Sequence, residues 1–263
     1  MPLPILAHQA PILPLKLWRP SAFNGTALVL GSIAPDLEYL RLSASSLGAK
    51  GFAHSFVGQF VFCLPVTLSV VLLVGRLDLA DVLIARLGAR FAWLAGAATD
   101  VAREGGFKRA CMSALVGSFS HLALDALTHR VLPRWLPGGT FRFAHLVFTT
   151  PTIVQLVVSG VCALVSLWLL HRISQRAVAT LPTPRPGISL IRLLALIGAC
   201  VGLLRARPAI QNPGGYFFAA GLYVWGYVAF FVACGVAVGI LVAGTILAVK
   251  DRRIPSTPPT VTR

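Results

Sequence analysis

Long uncharged apolar runs alternate along the chain with short basic tracts. Phe56–Gly75 carries no charge over twenty residues, the length of about 20 residues that an α-helix needs to cross a bilayer. Ala110–Thr128 is similar in length but contains His121 and Asp125. Val147–Leu170 is long enough to span with some tilt. Ile188–Leu204 holds one charge, Arg192, close enough to its end to snorkel. Tyr216–Val249 is uncharged over thirty-four residues, too long for one upright helix and too short for two plus a turn; Leu222–Val249 is its predicted span. Phe91–Ala98 is too short to cross. Two further apolar stretches are interrupted. The N-terminus has four prolines in its first fourteen residues and no basic region ahead of an apolar run, so it is expected to be neither a signal peptide nor a continuous helix. Thr26–Leu40 is short for a span and holds Pro35, Asp36 and Glu38, carboxylates that are costly in lipid. The pattern predicts an all-α, polytopic α-helical integral membrane protein, with about five to six transmembrane helices plus partially inserted N-terminal segments.

Composition leads to the same place. Hydrophobic residues are 56% and charged residues 12%, with a mean hydropathy of +0.80; soluble domains carry about 25% charged residues. A soluble surface cannot be covered from this supply, which excludes the ordinary globular enzymes. The 23 Lys plus Arg against 8 acids give a net charge of +15. These cations sit between apolar runs, as in Arg86–Arg90, Arg172–Arg176 and Arg252-Arg253, where membrane proteins place them for topology and lipid headgroups. The expected partners are membrane lipids, not nucleic acid. Nine basic residues, counted with Lys16 and Arg19, fall on the N-terminal side and fourteen on the other, which leans toward a cytoplasmic C-terminus. Cys63, Cys111, Cys162, Cys200 and Cys234 are isolated in apolar stretches and behave as small hydrophobes. The expected organisation is a membrane domain over 1–170, a linker over 171–187, C-terminal transmembrane helices over 188–249 and a disordered tail over 250–263. No internal repeat supports an inverted-repeat transporter.

Ionisable groups at membrane depth carry the functional information, because each must be compensated. Seven lie in or beside apolar segments of the first half: His8, Asp36, Glu38, His54, His121, Asp125 and His129. Asp78, Asp81, Asp100, Glu104 and Asp251 lie in basic loops or the basic tail and are expected to be solvated; His145 and His171 flank a span and are expected at the interface. In Ser120-His121-Leu-Ala-Leu-Asp125-Ala-Leu-Thr-His129 the three ligand types recur every fourth residue, within roughly 80° of one helix face. This suits metal binding; the competing reading is a polar stripe in helix–helix hydrogen bonds. His121 and His129 would stand about 12 Å apart along the axis. Either Asp125 bridges two metals, or one histidine orients a ligand from outside. His54 opens one span and His129 closes the next, so an antiparallel pair brings both to one membrane face, with Arg172 and Lys250 on the other. Asp36 and His8 can remain on the histidine side. Asp36, His54, Asp125 and at least one of His121 and His129 are expected within about 8 Å of one another, near enough for shared coordination.

Several segments carry a resemblance: His8-Gln-Ala-Pro-Ile-Leu-Pro-Leu, Ala27-Leu-Val-Leu-Gly-Ser-Ile-Ala-Pro-Asp-Leu-Glu-Tyr39, His54-Ser-Phe with Phe62-Cys-Leu-Pro65, and Ser118-Phe-Ser-His-Leu-Ala-Leu-Asp-Ala-Leu-Thr-His-Arg130. In order and spacing they resemble the bacterial membrane family called domain of unknown function 4184, and Pro151–Gly160, with Gln155 and Ser159, resembles its next motif. The likeness covers about Met1–Val165 and implies a multi-pass protein of the bacterial cytoplasmic membrane. The pattern is also similar to inner-membrane proteins described as metal-dependent hydrolases and, more remotely, to zinc-dependent phospholipase C. That likeness implies His8, Asp36, His54, His121, Asp125 and His129 as metal ligands, with zinc or another divalent ion as cofactor. No separate general base stands out.

The function expected is hydrolysis of a lipid or phosphoester at the membrane interface. Asp36 or Glu38 would accept a proton from water and Arg130 would neutralise a phosphate. The alternative is a non-enzymatic protein, either a metal or proton carrier or a structural or assembly factor. A carrier needs polar residues across the whole membrane, whereas these gather toward one leaflet.

Overall fold

The computed structural model describes residues 4–40, 51–76, 101, 105–143, 146–176, 188–211 and 222–252. The proline-rich N-terminus forms two short helices, α1 (Pro4–Ala7) and α2 (Leu13–Trp18), followed by α3 (Gly25–Ile33). Lys16 closes the α2–α3 turn: its buried Nζ donates to the carbonyls of Pro20 (2.5 Å) and Phe23 (2.7 Å). Asn24 then caps α3, its Oδ1 accepting from the Ala27 N–H at 2.9 Å, which satisfies one of the orphan donors of a helix start.

Helix α4 (56–76) starts at Ser55, whose Oγ accepts from the Gly58 N–H, and contains a π-helical turn, Gln59–Cys63. Helix α5, Gly106–Trp135, contains another at Leu127–Val131. Small residues let α3 lie directly on α5: a Cβ on Gly31 would meet the Ala114 carbonyl oxygen at 2.3 Å, and one on Gly117 the Leu28 carbonyl oxygen at 2.3 Å. Ala27, Val71, Ala110 and Ala114 form the core where α3, α4 and α5 meet. Backbone contact through glycine is how helices associate when lipid is as apolar as the side chains.

A two-stranded antiparallel hairpin, β1 (Thr140–Phe143) and β2 (Leu146–Thr149), pairs Thr140 with Thr149. It takes the first residues of the predicted span Val147–Leu170, because the β-branched and aromatic residues there suit a strand. Helix α6 (Thr150–Arg176) starts instead just ahead of Pro151, a residue favoured in a first turn. It continues to Arg176, through the start of the predicted 171–187 linker.

Helices α7 (Ile188–Gln211) and α8 (Leu222–Arg252) run antiparallel. Gly198 faces Gly235, Gly202 faces Phe231 and Gly239 faces Leu194, each with a backbone oxygen about 2 Å from where a Cβ would stand. Among the described residues four helices are long and apolar enough to cross a bilayer: Phe56–Val74, Gly106–Trp135, Thr150–Arg172 and Val228–Leu247. The fifth predicted span is present as α7, but the helix runs on past Leu204 and so carries Arg205 and Arg207 besides Arg192. The molecule is an all-α membrane protein with, among the described residues, one small hairpin. Phe91–Ala98, His145 and the loop acids Asp78, Asp81, Asp100 and Glu104 lie outside the described residues.

One expectation is corrected. Lys16 and Arg19 do not lie on the histidine side. Leu13 packs against Leu169 near the C-terminal end of α6, and the Asn24 N–H donates to Ser113 Oγ near the start of α5. The chain descends through α2 and returns through α3. The α2–α3 turn therefore lies at the end opposite His129, where Arg19 stacks on Trp18 and Arg172 on Trp168. A proline-broken segment gives no length from which to read that crossing.

Candidate metal centre

Four elements deliver the ionisable groups to one place. His8 follows α1. Asp36 lies on the 3₁₀ turn Ala34–Leu40 after α3, His54 on the 3₁₀ turn Phe52–His54 before α4, and His121, Asp125 and His129 on α5. The His54 turn is clamped on both sides. Glu38 Oε1 accepts from the Phe52 N–H at 3.1 Å and Oε2 from the Ala53 N–H at 2.7 Å. Gln59 Nε2 donates to the carbonyls of Ala53 (2.6 Å) and Ser55 (3.0 Å). Gly51 is needed here, because a Cβ would stand 2.0 Å from Glu38 Oε2. The structure thus places Glu38 against the backbone that presents His54.

His121 is fully buried, and its Nδ1 lies 2.8 Å from the Ser32 carbonyl oxygen. A carbonyl only accepts, so Nδ1 carries the proton, and in the neutral ring Nε2 is a bare lone pair. That Nε2 has no hydrogen-bond partner. It faces Asp36 Oδ1 at 3.6 Å and Asp125 Oδ2 at 3.9 Å. His54 Nε2 faces the same two oxygens, at 3.6 and 3.9 Å. Hydrogen bonds to a ring nitrogen run about 2.7–3.2 Å, so these four contacts stand at ion-pair rather than hydrogen-bond distance. His8, buried, stacks on His121 with ring centroids 3.7 Å apart, and its neighbour Gln9 donates to Ser32 Oγ. Two overlapping trios have ligand atoms within 4.8 Å of one another: His8, His121 and Asp125, and Asp36, His54 and His121.

Burial holds the His8 imidazole well below its ordinary range, leaving it neutral, the form in which a ring nitrogen can serve as a ligand.

The outer end is different. Asp125 Oδ1 faces His129 Nε2 at 3.8 Å, and the His129 side chain is 35% exposed. The even His-Asp-His stripe does not persist, because α5 leaves α-helical geometry after Ala126 and turns His129 on a π-bulge. Such bulges recur at functional sites. The amide nitrogen of Gln155 on α6 lies against both ring nitrogens of His129. Arg130 is exposed beside it. Gln155, Gln59 and Ser32 all touch the site's residues or their backbone; Gln155 entered the sequence reading only through the motif Pro151–Gly160, and Gln59 and Ser32 had no chemical role there, because an amide, or a serine acting through its carbonyl, has no chemical signature of its own.

No curated protein and no solved structure is significantly similar to the chain. The profile of the family described as Domain of unknown function (DUF4184) matches residues 1–245, well past Val165 where the motif resemblance ends, and the chain belongs to that family.

Proposed function

We propose that this is a metal-dependent hydrolase of the membrane interface, cleaving a lipid or phosphoester at a divalent ion, zinc by preference. One observation carries the reading. His54 Nε2, Asp36 Oδ1, His121 Nε2 and Asp125 Oδ2 form a closed ring with edges of 3.6, 3.6, 3.9 and 3.9 Å. Neighbouring ligands of a tetrahedral zinc with bonds of ~2.0–2.2 Å to nitrogen and oxygen stand about 3.3–3.6 Å apart, close to these four edges. A hydrogen-bonded polar stripe would be tighter, and two carboxylates facing the bare Nε2 of His121 need a positive charge among them.

A bound divalent ion would supply Lewis acidity and a water of lowered pKa. The protein's own groups fit the remaining tasks. Asp36 Oδ2 is buried and has no hydrogen-bond partner, which suits it to accept the water's proton. The exposed Arg130 can meet a phosphate. Exposed apolar groups beside it, among them Val131 and Trp135, are those of a headgroup-level interface. The carrier reading lacks a path, since below His121 the helices close on Ala27, Val71, Ala110 and Ala114. The test is the metal content of protein purified without chelators, measured by mass spectrometry. About one ion per chain is expected, and a metal-free protein that cannot be reloaded overturns the reading.

A further inference from the structure

We infer that the mouth of the His/Asp centre opens on the non-cytoplasmic face of the membrane. The argument begins with the re-entrant N-terminus. Chain order alone puts Lys16 and Arg19 with the histidines, but the contacts of Leu13 with Leu169 and of Asn24 with Ser113 put them at the far end. Ser113 is twelve residues from Asp125 on the same helix, about 18 Å along its axis. Helix ends sort the remaining cations. Among the described residues the mouth, where α5 ends and α6 begins, takes Arg130, Arg134 and Arg142. It also takes Arg205 and Arg207, because α7 and α8 are antiparallel and α8 packs Leu241 near its C-terminal part against Val74 at the far end of α4. That makes five. The other ten cations among the described residues lie at the far side.

Among the described residues the cations thus divide five against ten, and Lys and Arg mark the cytoplasmic side. The cation–π pairs Arg19–Trp18 and Arg172–Trp168 sit there as interfacial anchors. For the hydrolase reading, on which this last step alone rests, the substrate headgroup must come from the leaflet facing away from the cytoplasm.

Two single cysteines test the orientation without reference to metal or activity. Gly138 is exposed, and a Cβ there would meet nothing within 4 Å. Ser21 is exposed in the α2–α3 turn, and Ser21→Cys is nearly isosteric. A membrane-impermeant maleimide is applied to intact cells, to inverted membrane vesicles and to permeabilised cells, with wild type giving the background from native cysteines. Gly138→Cys should label in intact cells and be protected in inverted vesicles, Ser21→Cys should show the reverse, and both should label after permeabilisation. Labelling of Gly138→Cys only from the cytoplasmic side, of both positions from one side, or of neither after permeabilisation overturns the inference. Correct labelling of a metal-free protein would leave the orientation standing and remove only the hydrolase.

Discussion

Glu38→Gln separates a proton acceptor from a backbone clamp. The carboxylate now meets two N–H donors, Phe52 at 3.1 Å and Ala53 at 2.7 Å, one on each oxygen. Glutamine keeps the volume but offers one oxygen and one NH₂, so one backbone donor would face another donor. Losing a hydrogen bond to a charged group costs about 1.5–3 kcal/mol. Weakening of the remaining bond, no longer charge-assisted, brings the total to about 2–4 kcal/mol. The loss falls on the turn that carries His54, so metal affinity should drop by about 10–100-fold, as for other partners that orient ligands. Thermal unfolding in detergent and competition with a chelator of known affinity measure both quantities. Gly51→Ala, which drives a Cβ into the same carboxylate, should reproduce the pair of effects. If Glu38→Gln instead abolishes turnover while leaving stability and metal affinity at wild-type values, Glu38 is a catalytic group and the clamp argument fails.

Other substitutions report on the remaining parts of the centre. Asp125→Asn should fold and insert but lose its metal, whereas Asp251→Asn in the tail should be silent; equal metal content in wild type and the Asp125 variant would make the α5 stripe packing polarity. His129→Gln should weaken metal binding by about 10–100-fold, as an outer partner does, while His54→Gln should abolish stoichiometric binding, and a reversed order would move the ion toward the rim. Gly117→Ala places a Cβ 2.3 Å from the Leu28 carbonyl oxygen and should cost about 1–3 kcal/mol or more by overpacking. Gly138→Ala, in open space, should leave the unfolding temperature unchanged, and equal unfolding temperatures for the two variants would refute direct α3–α5 backbone contact.

What was legible in the sequence follows from how each feature is encoded. Uncharged runs near bilayer length marked the spans, because the penalty for charge in lipid acts on every residue of a run. The juxtaposition of Asp36, His54, His121 and Asp125 was legible too, since each titratable group at membrane depth must find a partner and few were available. Helix association was not read. Gly198-x-x-x-Gly202 and Gly235-x-x-x-Gly239 were present in the sequence, but small residues leave no trace in a reading based on hydropathy alone. The π-bulges at Gln59–Cys63 and Leu127–Val131 were equally hidden, because one extra residue in a helical turn changes no composition.

The bulge at Leu127–Val131 bears on the alternatives that spacing had left for Asp125. On a straight helix His121 and His129 are equivalent neighbours, four residues to either side, and Asp125 could serve two ions or one. In the structure the two oxygens are not equivalent. Oδ2 faces His54 and His121, and Oδ1 faces His129, which is partly exposed and against Gln155. The inner ring closes with four atoms and leaves His129 outside it, so on the proposed reading a single inner ion with an outer histidine would use all six sequence candidates: four in the ring, His8 stacked on His121, and His129 at the mouth. An ion held by those buried groups would meet substrate past the partly exposed His129. For that reason the side on which the mouth opens would decide which leaflet the proposed hydrolase serves.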